Sequence, residues 1–375
     1  MSGGAGPAMG SERLVSLDAF RGLTIAGMIL VNNPGSWAHV YAPLRHAEWH
    51  GWKPTDLIFP YFLFIVGVAI PFSFGKRLAT GSKRSDLLRH VVRRSAILVG
   101  LGLAMRAIPD FDLGTMRYYG VLQRIGLVYL VAASAYLFLD RRGLAALTGA
   151  LLLGYWALMA LVPVPGYGAG ELGPDGNLAA WLDRALLGGH LWQESWDPEG
   201  LLSTLPAVGT AFAGIFAGEW LRSDAAPDRK SLGLPEAGAL LVPLGWLWGL
   251  VFPINKNLWT SSYVVFTAGT ALLLLGAMHW VIDVRKRRGP WMEWMVVYGM
   301  NAIAVFVASG MVAKALTRIH VGGQDGTSLY AWLYETLFRS WLGDLNGSLG
   351  FALATVAFWL GMMWILHARR IYVKI

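Results

Sequence analysis

The sequence predicts an all-α polytopic membrane protein with about ten transmembrane helices and both termini in the cytoplasm. Three observations carry that reading. Of 375 residues, 55% are hydrophobic and only 14% charged, against about a quarter charged in ordinary soluble domains. Apolar runs near twenty residues, the length needed to cross a bilayer as helix, recur along the chain. The basic residues behind the net charge of +8 fall in short clusters between those runs, as in cytoplasmic loops of membrane proteins, which argues against a nucleic-acid partner.

The expected spans lie near 14–34, 55–75, 88–107, 117–139, 143–162, 201–221, 235–252, 258–282, 291–314 and 347–367. No period-two pattern suggests a barrel, so backbone satisfaction in lipid requires helices. The stretch "MSGGAGPAMGSE" reads as a flexible tail over 1–12, ahead of one membrane domain over 13–375. It lacks the charged start and apolar core of a signal peptide, so the first span is expected to be retained. Basic clusters follow spans two, four, six and eight ("GKRLATGSKRSDLLRHVVRR", "DRR", "RSDAAPDRK", "RKRR") and the chain closes on "HARRIYVKI". The alternate loops "IPDFDLGT", 163–200 and "VFPINKN" are poor in Lys and Arg, which places them outside. In the last outer stretch, "YAWLYETLFRSWL" has the aromatic content of a helix lying in the interface. No internal repeat stands out.

The absence of cysteine excludes thiol nucleophiles, disulfides and thiolate metal sites. Polar residues inside or beside the spans are the functional candidates, because an intramembrane charge costs several kcal/mol unless paired. Asp18 and Arg21 are three apart and share a helix face near the cytoplasmic end of span one; an internal ion pair and a ligand-facing role both fit. Asn32, fourteen residues on, lies roughly 20 Å higher by helical rise. Gln123 and Arg124 enter span four from outside, and Arg124 needs an anionic partner, a protein carboxylate or a phosphorylated ligand. Asn255, Lys256 and Asn257 crowd a short outer loop, where Lys256 either snorkels to the interface or helps form a polar pocket. Asn301 reads as a buried interhelical hydrogen-bonding group, and Gly102, Gly214 and Gly218 as close helix contacts. The segment "LRHAEWHGWKPTDLIFPYF" sets His46, Glu48 and His50 just outside span two and Asp56 at its mouth. His46 and His50 are four apart but lack a third ligand at suitable spacing, so no metal is expected. His46, accompanied by Trp49, Trp52 and Asp56, has the residue chemistry of a general base near neutral pH.

The segments "RLVSLDAFRGLTIAGMILVNNPG", "HAEWHGWKPTDLIFPYFLFIVG", "GVLQRIGLVY", "WDPEGLLSTLPAVGTAFAG", "INKNLWTSSYV" and "GMNAI" together resemble the heparan-alpha-glucosaminide N-acetyltransferase family of transmembrane acyltransferases and its bacterial homologues. The resemblance runs from about residue 13 to the C terminus with the motifs in the same order. It implies transfer of acetyl from cytosolic acetyl-CoA to the amine of a glucosamine-like sugar, or to a glycan, on the outer face. It also implies a catalytic histidine at His46, as general base or acyl acceptor, from a "KHASWNG"-type motif, with functional Asn32 and Asp56 from "VNYGG"- and "ADLVFP"-type motifs. Two departures are visible: a longer interval between Asn32 and His46, and His50 where the family motif has asparagine. The large lumenal domain before the first motif of the mammalian enzyme has no counterpart among the dozen residues ahead of Arg13.

Within that reading, Asp18, Arg21, Gln123 and Arg124 are the candidates for binding acetyl-CoA. Trp49, Asn255, Lys256, Asn257 and Trp259 are the candidates for the acceptor, with Trp49, Trp52 and Trp259 offering pyranose-stacking faces or interfacial anchors. The expected setting is a bacterial inner membrane with the site facing the periplasm, the bilayer and acetyl-CoA as partners, and an assembly that allows a homodimer. The alternative is a transporter or flippase that uses the same charges to guide a sugar or other solute.

Overall fold

A computed structural model describes residues 14–323 and 326–373; the expected tail over 1–12 lies outside them. The chain is mostly helical: α1 (Val15–Asn32), α2 (Ile58–Ala79), α3 (Arg84–Ala107), α4 (Val121–Phe138), α5 (Arg141–Leu161), α6 (Leu178–Leu187), α7 (Thr204–Arg222), α8 (Pro227–Trp248), α9 (Ser261–Met278), α10 (Pro290–Met300), α11 (Ala302–Arg318), α12 (Leu329–Tyr334) and α13 (Ser340–Ala368). The strands described are β1 (His320–Val321) and β2 (Thr327–Ser328), antiparallel, with His320 opposite Ser328 and Val321 opposite Thr327.

Each expected span coincides with a helix or a bent pair of helices. Among the described residues six helical segments are long and apolar enough to cross a membrane, seven when α10 and α11 count as one broken span bent by 77°. Helices α3, α7 and α8 occupy expected positions without meeting that measure. The first turns of α3 hold Arg84, Asp86, Arg89, His90, Arg93 and Arg94. Helix α7 packs on α2, α4, α5 and α9; shielded by neighbours, it needs less apolar surface than a lipid-facing helix. The expected interfacial helix is α12 with the turn after it, running into α13 through a break at Gly343, whose φ of 74° suits glycine.

Small residues set the closest helix crossings. A Cβ on Gly67 of α2 would stand 2.0 Å from the Ala211 carbonyl oxygen, and one on Gly214 of α7 would stand 2.0 Å from that of Phe64. Backbone-to-backbone contact of this kind supplies packing where lipid removes the hydrophobic drive between helices. Gly22 of α1 and Gly299 of α10 repeat the arrangement, each facing the other helix's backbone. The N-terminus of α1 is completed by a distant side chain: the amides of Val15 and Ser16 donate to Asp283, at 3.3 and 3.1 Å, satisfying donors that no intrahelical carbonyl can reach.

Asn301, expected to bond between helices, instead occupies the break between α10 and α11 and bonds the chain's C-terminal segment. The loops expected outside converge at one end of the bundle. Gly51 N donates to Ile254 O (2.7 Å), Trp49 Nε1 to Leu172 O (2.8 Å) and Tyr118 N to His190 O (3.3 Å).

Candidate active site

The site is organised by a buried carboxylate. Pro54 opens a 3-10 turn over Pro54–Leu57, with its fixed φ suited to the first position. The turn carries Asp56 inward until it is 1% exposed. Its Oδ2 accepts from the amides of Lys53 (2.9 Å) and Ala47 (3.0 Å), which folds the loop over residues 47–53 around it. Its backbone carbonyl accepts from the Tyr263 hydroxyl of α9. Oδ1 remains for His46, whose Nδ1 lies 2.6 Å away, and for the Lys256 ammonium at 3.6 Å.

The short contact to a carboxylate assigns the His46 proton to Nδ1 and leaves Nε2 as the acceptor nitrogen. Lys256 Nζ lies 3.0 Å from Nδ1 and 3.3 Å from Nε2; with Nδ1 donating to Asp56, the contact to Nε2 is the chemically complementary one. Burial lowers the Lys256 pKa from its usual value, against the opposing charges of Asp56 and Glu199. The His46 side chain is 45% exposed, so an imidazole backed by a buried carboxylate reaches solvent.

The other sequence candidates fall in two groups. Near His46, Asn255 is fully buried; its amide donates to His50 Nδ1 (3.2 Å) and its Oδ1 accepts from Leu258 N (2.9 Å), which shapes the loop that presents Lys256. Burial lowers the His50 pKa, partly offset by Glu171. Trp49 meets Trp196 edge to face, with ring centroids 5.0 Å apart. Asn257 is half-buried beside Lys256. Trp259 is fully buried, with Phe59 and Tyr263 against it and the Arg124 guanidinium 5.0 Å over its ring. It supports the loop from within and offers no open stacking face. Asn32 ends α1, is exposed, and makes no hydrogen bond to His46 or Asp56 among the described residues.

Asp18 and Arg21 are ion-paired at 3.0 Å and line a cavity of about 560 Å³ between α1, α2, α3, α4 and α11. Arg94 joins them, with apolar Ile25, Phe62 and Ile125 farther along. Gln123 and Arg124 are buried beside this cavity and do not line it. The direct partners of Arg124 are the Gly200 carbonyl (3.0 Å) and the Ser203 hydroxyl; the carboxylates of Asp197 and Glu199 are bonded to Arg117 instead.

That second ion network is absent from the sequence expectations. Arg117 donates to both oxygens of Asp197 (2.7 and 2.5 Å) and to Glu199, clamping the stretch before α7 to the start of α4. Asp183 of α6 accepts from Leu201 N at 2.9 Å, and burial, aided by Asp197, pushes its pKa up to about 7. The available signal was "SWDPEG", two carboxylates immediately ahead of an apolar span.

Residues 13–249 match the family described as heparan-alpha-glucosaminide N-acetyltransferase, catalytic. The human and mouse proteins called heparan-alpha-glucosaminide N-acetyltransferase are each 32% identical to this chain, over 354 and 357 residues. The chain belongs to the heparan-alpha-glucosaminide N-acetyltransferase family. Those alignments cover 79% of the chain and 52% and 53% of the human and mouse proteins, so it spans about half the length of the curated relatives it matches. The family match takes in α1 through α8, including His46, Asp56 and the Arg117 clamp. Lys256 and Asn301 lie beyond its end at residue 249.

Proposed function

We propose that this protein is a membrane acetyltransferase that takes acetyl from acetyl-CoA on the cytoplasmic side and passes it to the amine of a glucosamine-like sugar on the outer face. The observation that carries the reading is the Asp56–His46–Lys256 cluster at the solvent end of a helical bundle whose family members bear an N-acetyltransferase name. All ten expected spans cross the bilayer in this reading, with both termini in the cytoplasm, so the converging loops face outward and the Asp18–Arg21 end of the cavity faces inward.

The acceptor amine arrives neutral, and its nitrogen attacks the thioester carbonyl carbon. As the N–C bond forms, His46 Nε2 takes the amine proton while Asp56 stabilises the resulting imidazolium through Nδ1. Lys256, 3.3 Å from Nε2, donates to the carbonyl oxygen as it gains charge. The C–S bond then breaks and the departing thiolate receives the proton from His46, which returns the base to its starting state. The products are an N-acetyl sugar and free CoA. Asn32, exposed at the end of α1, is the candidate for orienting the acceptor. Arg21 and Arg94 offer cationic partners for the phosphates of CoA, and the apolar length of the cavity suits the pantetheine arm.

The test is acetyl-CoA consumption by purified protein in detergent, wild type beside His46→Ala, with glucosamine as acceptor. Acceptor-dependent release of CoA that disappears in a folded His46→Ala variant is the expected result. No thioester consumption by well-folded wild type over a panel of amino sugars, with solute uptake into liposomes, would replace transferase by transporter.

A further inference from the structure

The chain turns back on itself at its C-terminal end. After α13, Arg370 adopts a φ of 58°, a left-handed conformation that non-glycine residues seldom hold unless surroundings impose it. The turn is closed by Arg370 N donating to His367 O (2.9 Å) and Ile371 N donating to Leu366 O (2.8 Å). Beyond it the chain meets Asn301, which is fully buried at the break between α10 and α11. Asn301 Nδ2 donates to Ile371 O at 3.1 Å, and its Oδ1 accepts from Val373 N at 2.8 Å. One side-chain amide thus pairs with two backbone groups of the tail much as a neighbouring strand would.

Tyr372 and Val373, held in this way, form part of the wall of the 560 Å³ cavity, at the end that contains Asp18, Arg21 and Gly299. Ile371, Tyr372 and Val373 are nonetheless 37–46% exposed, so the bundle's interior does not need them.

We infer that Tyr372 and Val373 form a wall of the acyl-CoA site and that Asn301, through Ile371 O and Val373 N, is the residue that positions it. The inference rests on the reading of this cavity as the donor site. A cofactor-sized ligand is held by burial of most of its surface, and removing this wall opens the cavity beside the Asp18–Arg21 pair. The tail therefore governs affinity for acyl-CoA and leaves the acceptor subsite, built from other loops at the opposite end, unaffected.

The experiment compares full-length protein with a truncation after Arg370 and with Val373→Pro, which removes the amide that donates to Asn301 while leaving Asn301 in place. Binding of CoA itself is measured by calorimetry in detergent, alongside KM for acetyl-CoA and for glucosamine. The expected result is at least a tenfold weaker CoA affinity and a matching rise in KM for acetyl-CoA in both variants, with KM for glucosamine within twofold of wild type. Asn301→Ala should reproduce the effect where it folds. CoA affinity within twofold of wild type in the folded truncation, or tighter binding, overturns the inference alone. Wild-type protein that binds no CoA overturns the donor-site reading, and the inference with it.

Discussion

Lys256 Nζ lies 3.3 Å from His46 Nε2 although 210 residues separate them in the chain. Asp56 joins the pair through Oδ1, so one carboxylate faces two cationic or potentially cationic groups. Replacing Lys256 by Met keeps the aliphatic stem and removes the charge. Loss of one donor to a developing oxyanion costs about 10²–10³ in kcat, and that range is expected for Lys256→Met, with a smaller change in KM for the acceptor. An effect on acceptor KM alone would make Lys256 a binding group and remove it from the transfer step.

Asp56→Asn preserves shape but lets the side chain donate a hydrogen bond, which permits the wrong imidazole tautomer. Transfer should fall by up to about 10⁴-fold, the loss seen when an orienting carboxylate becomes an amide. Stability should fall too, since Oδ2 also fixes the amides of Ala47 and Lys53. Steady-state rates read beside thermal unfolding in detergent separate the two effects: the rate loss should persist well below the unfolding midpoint.

The Arg117 clamp joins the stretch before α7 to α4. Arg117→Ala leaves two carboxylates, each nine-tenths buried or more, without their cation, a change that costs about 3–5 kcal/mol when one member of a buried pair is removed. The expected outcome is a lower unfolding midpoint and faster proteolysis within residues 163–203. Equal resistance in the variant would show that Arg124 and the backbone hold the loop without Arg117.

Asp183 gives a pH dependence with a definite sign. Its pKa rises from 3.8 to about 7 in the folded protein, so the folded state holds the proton more tightly than the unfolded chain. The resulting stability is complete below about pH 4, fades as pH rises toward 7, and is absent above it, at no more than about 1.4 kcal/mol per pH unit. Its charged neighbours are Asp197, Arg124 and Arg184. Asp183→Asn keeps an acceptor for Leu201 N and should flatten the fall in unfolding midpoint between pH 4 and 7. An unchanged slope would assign the titration to another group.

Helical architecture was legible in the sequence because bilayer thickness imposes it on apolar runs directly. The broken span at Asn301 was not, since both halves are apolar and the partners of Asn301 lie about 70 residues away. His46 and Asp56 were readable together because ten residues separate them around a Pro-initiated turn. Lys256 was legible as part of a short loop ahead of α9, while its contact with His46 depends on the folding of two loops that no local pattern encodes. Trp259 illustrates the opposite case: an aromatic at a loop end reads as a surface platform, yet Arg124 above its ring and Thr210 accepting from its indole make it internal. The Arg117, Asp197 and Glu199 network escaped notice because its members sit 80 and 82 residues apart.

The cap on α1 has a temporal consequence. Val15 N is satisfied by a carboxylate 268 residues downstream, and α10, against which α1 packs most closely, comes later still. At synthesis rates of about 5–20 residues per second, roughly 15–50 s pass between emergence of the first helix and of the group that completes it. The first of the described helices is therefore among the last to reach its final hydrogen bonding, and during that interval its leading turn relies on water and lipid headgroups for the contacts Asp283 later provides.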